Sequence, residues 1–178
     1  MAQKERELKY ELSETAHERL LELCEPLEEV REFSNLYFEA GEPVERKDWV
    51  LRLRREGDDG GELTLKIGRE LAPGMFSSTE YTARVSGAEP ETWEGTEPYR
   101  VFLQEISGRA PRLQGASHNQ RHLLKAPIGP VGSWGLDRTS LPDDSVFYEL
   151  EIEWDSGSEP SAEEVSAFRE ELEQWLES

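Results

Sequence analysis

The chain has 178 residues, a formal net charge of −19 and a single cysteine, Cys24; the length suits one domain over residues 1–178 with a sizeable buried core. The charge excludes a general nucleic-acid binder, whose affinity rests on Lys and Arg against phosphates, and it excludes an anionic membrane surface as a partner. No apolar run approaches the roughly 20 residues of a membrane span, no N-terminal apolar segment resembles a secretory signal, and a lone cysteine allows no internal disulfide, so the expectation is a soluble, cytoplasmic protein.

In chain order, Glu5, Glu7 and Lys9 alternate with Leu8, Tyr10 and Leu12, which predicts a strand with one charged and one apolar face. Thr15 and Glu18 stand at capping-box spacing, and Leu20, Leu21 and Cys24 follow on one stripe before Pro26, predicting a helix over residues 15–25. Residues 30–39 read as a strand from Phe33, Tyr37 and Phe38. Residues 49–54 and 62–67 alternate around the glycine-rich Gly57–Gly61 and predict a hairpin.

Residues 72–78 are expected to form a loop from their Pro, Gly and Ser content, 80–85 a short strand, and 86–98 another loop. Val101, Phe102 and Ile106 give helical spacing over 100–106, ending at Gly108. Strands are expected at 118–125 and 133–139 around a turn at 127–130, and most clearly at 147–154. Ser161 and Glu164 make a second capping box, and Val165, Phe168, Leu172, Trp175 and Leu176 form the stripe of an amphipathic C-terminal helix over about 161–177.

About eight strands with few, peripheral helices predict a mainly β (α+β) fold, an antiparallel sheet closed into a barrel. The strand patterns then ask which face lines it. Arg52 and Arg54 alternate with Leu51 and Leu53; Thr64 and Lys66 with Leu63, Leu65 and Ile67; Glu149, Glu151 and Glu153 with Leu150, Ile152 and Trp154. Alternation alone fits an antiparallel sheet with one wet face. The charges, however, are segregated by sign between strands, and the helices need an apolar sheet face to cover. If they cover the leucine face from outside, the charged face lines the interior. An unpaired buried carboxylate costs several kcal/mol, so that interior must be a hydrated tunnel where acids face bases. Mg²⁺ or Mn²⁺ held by carboxylates, with a phosphate-rich anion on the arginines, meets both demands.

With these residues in order, the sequence resembles the CYTH family, the triphosphate tunnel metalloenzymes. Its Glu-x-Glu-x-Lys opening stands as Glu5, Glu7 and Lys9; Arg52 and Arg54 resemble the paired-arginine strand, and Thr64 with Lys66 the lysine strand. Arg121 is similar to the arginine of a later strand, Asp137 to the following aspartate, and Glu149 with Glu151 to the closing acidic strand. The correspondence spans about residues 4–154.

The resemblance implies an eight-stranded antiparallel tunnel barrel acting on a triphosphate with Mg²⁺ or Mn²⁺. It implies phosphate binding by Lys9, Arg52, Arg54, Lys66 and Arg121, with Lys125 an alternative to Arg121. It implies metal binding by Glu5, Glu7, Asp137, Glu149 and Glu151, with Glu5, Glu7, Lys9 and Glu149 at the centre of the chemistry. Glu80 would join a metal shell or pair with a lysine. Where the family often carries an arginine two residues before that acid, this chain has Ser78, and Arg84 is the available substitute.

The activity expected first is metal-dependent hydrolysis of inorganic triphosphate, then of a small organic one such as thiamine triphosphate. The alternatives are an adenylate cyclase forming cyclic AMP from ATP, and a non-catalytic polyphosphate- or nucleotide-binding barrel. The partner is a small-molecule triphosphate, and the chain is expected to act as a monomer or homodimer. His118 and His122 fall on an expected strand, where a four-residue spacing does not make a metal pair. His17 is expected to be solvated, Cys24 to be a packing residue, and Trp134, Trp154 and Trp175 to be core or exterior anchors.

Overall fold

The computed structural model describes residues 2–45, 48–55, 57, 60–129, 133–154 and 159–177. Asp58 and Asp59 of the expected glycine-rich turn, and Pro130 of the next one, lie outside the described residues.

The strands are β1 (Gln3–Leu12), β2 (Arg31–Glu39), β3 (Trp49–Arg55), β4 (Gly61–Ala72), β5 (Met75–Val85), β6 (Arg112–Lys125), β7 (Ser133–Ser140) and β8 (Val146–Glu153). They close into an eight-stranded barrel in the order β1-β5-β4-β3-β2-β6-β7-β8, every pair antiparallel. Closure leaves no unpaired sheet edge. Because β1 sits between β5 and β8, Glu7 lies beside Glu153 and Lys9 beside Glu151.

The apolar faces point outward and are covered by helices. Helices α1 (Glu14–Leu23) and α3 (Ala162–Glu177) place Leu20, Val165, Phe168 and Leu172 over Leu8, Leu124, Trp134, Leu136, Leu150 and Ile152. Across the barrel, α2 (Glu97–Val101) runs into a π-helical turn over Phe102–Ile106. With Trp93 it covers Leu51, Leu53, Leu63, Leu65 and Ile67. Each such side chain contributes about 1.5–3 kcal/mol when removed from water. Both hydrophobic cores therefore lie outside the barrel wall, which leaves the inside to the charged residues.

Trp154 meets Phe168 edge-on with ring centres 5.7 Å apart, and Trp134 meets Trp175 at 5.8 Å, so these tryptophans are exterior anchors for α3. That helix begins with the expected reciprocal cap: the Glu164 N–H donates to Ser161 Oγ at 3.2 Å, and the Ser161 N–H donates to Glu164 Oε2 at 2.7 Å.

Three expectations change. The first helix begins at Glu14, because Ser13 rather than Thr15 caps it, its Oγ accepting the Ala16 N–H at 3.1 Å. That start puts His17 on the stripe of Leu20 and Cys24, so it is buried at 4% exposure, its ring 4.8 Å from that of Tyr148 and 6.4 Å from that of His122. The loop expected over 72–78 is a tight turn at Pro73 and Gly74. Gly74 has φ +72°, and a side chain there would press on the Lys9 carbonyl. Ser77 and Ser78, which read as loop formers, are strand residues opposite Arg6 and Glu5.

Candidate functional site

The barrel encloses a cavity of about 560 Å³, lined among others by Glu5, Glu7, Lys9, Arg52, Arg54, Lys66, Glu80, Arg121, Glu151 and Glu153. Period-two alternation delivers them there: on each strand these residues occupy the positions opposite to the leucines packed under the helices.

One group of acids is gathered by lysine. Lys66 Nζ contacts Glu5, Glu80 at 2.7 Å and Glu7 at 3.4 Å. Lys9 Nζ donates to Glu151 at 2.7 Å and to Glu149 at 3.4 Å. Arg121 grips Asp137 with two nitrogens, Nε donating to Oδ1 at 2.7 Å, and also reaches Glu151. Burial works against the charges of Lys9 and Lys66, but the carboxylates around them outweigh it and raise both pKa values. Burial likewise pulls the Glu151 carboxyl upward, while Arg121 and Lys9 overcome it and hold the group at about 2.

The remaining acids are less well compensated. Burial raises the pKa of Glu5 in spite of Lys66 and that of Glu7 in spite of Lys9 and Lys66, and it raises Glu149 in spite of Lys9. Glu153 is raised by burial and by Glu5, Glu151 and Glu7. Acidic charge thus exceeds what the nearby bases neutralise, and the site has an appetite for a cation.

The arginines of β3 behave differently. Arg52 and Arg54 lie side by side on β3, opposite Thr64 and Glu62 of β4 and Tyr37 and Asn35 of β2. The Nε atoms of both are buried and have no hydrogen-bond partner among the described residues. The Arg54 guanidinium sits 4.2 Å above the Phe33 ring centre. Burial first, then the repulsion of Arg52 and Arg121, push its pKa down to about 10. Both side chains are half-buried, Glu151 and Glu62 offset the lowering of the Arg54 pKa only in part, and cations so placed suit an anion.

The acids Asp137, Glu149 and Glu151 bring ligand oxygens within 4.8 Å of one another, the one such group among the described residues. Paired carboxylates on adjacent strands produce it, with Asp137 opposite Glu149 and Glu151 two residues further along β8. An all-carboxylate donor set fits a hard divalent cation. Of the three, Glu151 lines the cavity. Glu5 and Glu7 are not part of this group; Lys66 holds them instead.

Two residues predicted for phosphate binding are not brought to the cavity. Lys125 is exposed at the end of β6 and faces Glu25 at 3.4 Å. Arg84 has the inward parity, opposite Glu62, but lies exposed near the end of β5. Parity gives the face of a strand and not the depth along it. Glu80 takes the lysine pairing rather than the acid cluster. Glu153 reaches the cavity while remaining exposed. In the sequence Phe33 and Tyr37 read only as strand formers and Asn35 not at all, because their period-two alternation on β2 carries no charge to mark the inward face.

The model of the CYTH domain family matches residues 3–177. No curated protein matches the chain. Among solved structures, it is similar to HpAC1 from Hippeastrum, assigned as an adenylyl cyclase and described as having a dominant triphosphatase activity. The two share 21% identity over 97% of this chain and 87% of that one, with a TM-score of 0.72. A protein from Pyrococcus horikoshii matches at 17% identity over 97% and 88% of the two chains, TM-score 0.56. One from Vibrio parahaemolyticus, assigned as an adenylate cyclase, matches at 16% over 99% and 90%, TM-score 0.52. At these identities the structural likeness speaks for the fold.

Proposed function

Because this chain belongs to the CYTH domain family, we propose that its tunnel binds a linear triphosphate and hydrolyses it with the help of Mg²⁺ or Mn²⁺. The observation that carries the reading is the pair Arg52 and Arg54, half-buried in the cavity wall, with buried Nε atoms that have no hydrogen-bond partner among the described residues.

Arg52 and Arg54 take phosphate oxygens without first giving up a carboxylate, so they anchor the substrate. Lys9, Lys66 and Arg121 exchange part of their carboxylate contacts for phosphate and draw the chain of phosphates along the cavity. Asp137, Glu149 and Glu151 hold the cation. When bound, that cation neutralises phosphate charge and lowers the pKa of a coordinated water. Glu5 and Glu7, whose burial raises their proton affinity, are the carboxylates suited to take the proton of the attacking water. The new bond joins the water oxygen to the terminal phosphorus, the bridging P–O bond breaks, and pyrophosphate leaves. In such a reaction positioning and charge neutralisation supply most of the acceleration.

Inorganic triphosphate is the substrate this cation set suits first, since it asks for phosphate contacts alone. The test is a panel of inorganic triphosphate, thiamine triphosphate and ATP with Mg²⁺ or Mn²⁺, read for phosphate and for cyclic AMP. Phosphate release from inorganic triphosphate without cyclic AMP is the expected result. Cyclic AMP from ATP would assign a cyclase instead, and tight binding of triphosphate without turnover of any compound would assign a binding barrel.

A further inference from the structure

Thr64 lies inside the barrel wall at 2% exposure, and its Oγ1 is buried with no hydrogen-bond partner among the described residues. A hydroxyl left unpaired in this way is destabilising, and valine would fill the same volume without that cost. The surroundings say what the hydroxyl is for. Arg52 stands directly across from Thr64 on β3, and Lys66 is two residues along β4 on the same inward face. Both Thr64 and these two cations line the cavity. On the other side Thr64 faces Thr82 of β5. Arg52 has no acceptor to offer the hydroxyl, the Thr82 opposite makes no hydrogen bond with it, and Thr64 lines the same cavity as the two cations.

We infer that Thr64 is a phosphate-binding residue, its Oγ1–H donating to a phosphate oxygen that Arg52 and Lys66 hold by charge. The inference rests on the triphosphate reading above and adds a neutral, directional donor to it. Two cations attract an anion from many directions, whereas a hydroxyl fixed on a strand selects one oxygen position. Thr64 thereby sets the register of the phosphate chain relative to Arg52. The effect belongs to ground-state binding, so it appears in Kd and KM more than in kcat.

The test compares wild type with Thr64→Val and Thr64→Ser, measuring binding of inorganic triphosphate by calorimetry, its steady-state hydrolysis, and thermal unfolding. A hydrogen bond to a charged group is worth roughly 1.5–3 kcal/mol, or about tenfold to hundredfold in affinity. Thr64→Val should weaken binding and raise KM by that factor with kcat little changed. Its melting temperature should be equal or higher, because an unsatisfied hydroxyl is gone. Thr64→Ser should restore most of the affinity. Wild-type affinity in Thr64→Val, or equal loss in both variants, would overturn the role of the hydroxyl while leaving the triphosphate reading standing. Failure of the wild type itself to bind inorganic triphosphate would overturn both.

Discussion

Glu149 and Glu151 sit two residues apart on one strand, share Lys9, and yet differ in what holds them. Glu151 is pinned between Lys9 and Arg121, whose charges keep it ionised far below its ordinary range. Among the described residues Glu149 has one cationic contact, a longer one to Lys9 at 3.4 Å, and burial lifts its pKa. The two glutamates should therefore separate under mutation. Glu151→Gln leaves Lys9 and Arg121 short of a counter-charge in a partly buried site, and should cost about 2–4 kcal/mol. Glu149→Gln removes charge from an acidic site and should leave stability unchanged or slightly higher, while abolishing triphosphate turnover. Thermal melts and phosphate release measured side by side on the two variants check this contrast; equal loss of stability in both would mark Glu149 as structural.

Helix α1 carries a titration of its own. Burial, helped by the nearby charges of His122 and Arg138, lowers the pKa of His17 below the ordinary 6.5. Tyr148 packs against its ring, Asp137 and then Glu14 partly offset the effect, and His122 is lowered in turn by its own burial. With the folded pKa below the unfolded one, the unfolded chain binds more protons as pH falls. The stability from neutral His17 is thus complete above about pH 6.5 and is lost as pH falls from there through the folded pKa. The buried carboxylates with raised pKa values pull in the opposite direction, gaining stability on acidification. They are common to wild type and His17→Gln, so the variant's melting temperature should fall less than that of wild type between pH 7.5 and pH 5.5. Parallel curves would show that His17 titrates as it does in the unfolded chain.

On the opposite end of the chain, Leu172 of α3 is fully buried over the barrel, and Leu172→Ala should cost about 2–5 kcal/mol. Chemical denaturation measures it. These elements also show what could be read in advance. The stripe of α3 and its capping box were legible because every residue of the pattern is chemically distinct. The start of α1 was not, because Ser13 and Thr15 are both good caps and only tertiary packing of His17 and Leu20 decides between them.

At the scale of the molecule, sign-segregated alternation was enough to turn the barrel inside out, with charges within and leucines without. The same pattern put Thr64 on the inward face without giving it a role, and it was blind to the inward side of β2 at Asn35 and Tyr37, which are neutral and so carry no sign. It overreached at Lys125 and Arg84, whose parity is right and whose depth is wrong. The excess of acid over base in the cavity predicts that the metal-free protein is under electrostatic self-repulsion. Added Mg²⁺ or Mn²⁺ should raise its melting temperature by preferential binding to the folded state, and chelation should abolish triphosphate turnover. No shift in melting temperature with either metal would count against the acid cluster as a cation site.

The central claim is that Arg52 and Arg54 hold the substrate. It is tested most directly by steady-state hydrolysis of inorganic triphosphate by the double variant Arg52→Gln/Arg54→Gln. Each guanidinium removed should cost about tenfold or more in KM, and the melting temperature should hold or rise as the repulsion among Arg52, Arg54 and Arg121 is relieved. A double variant that hydrolyses triphosphate with the wild-type KM would contradict the account.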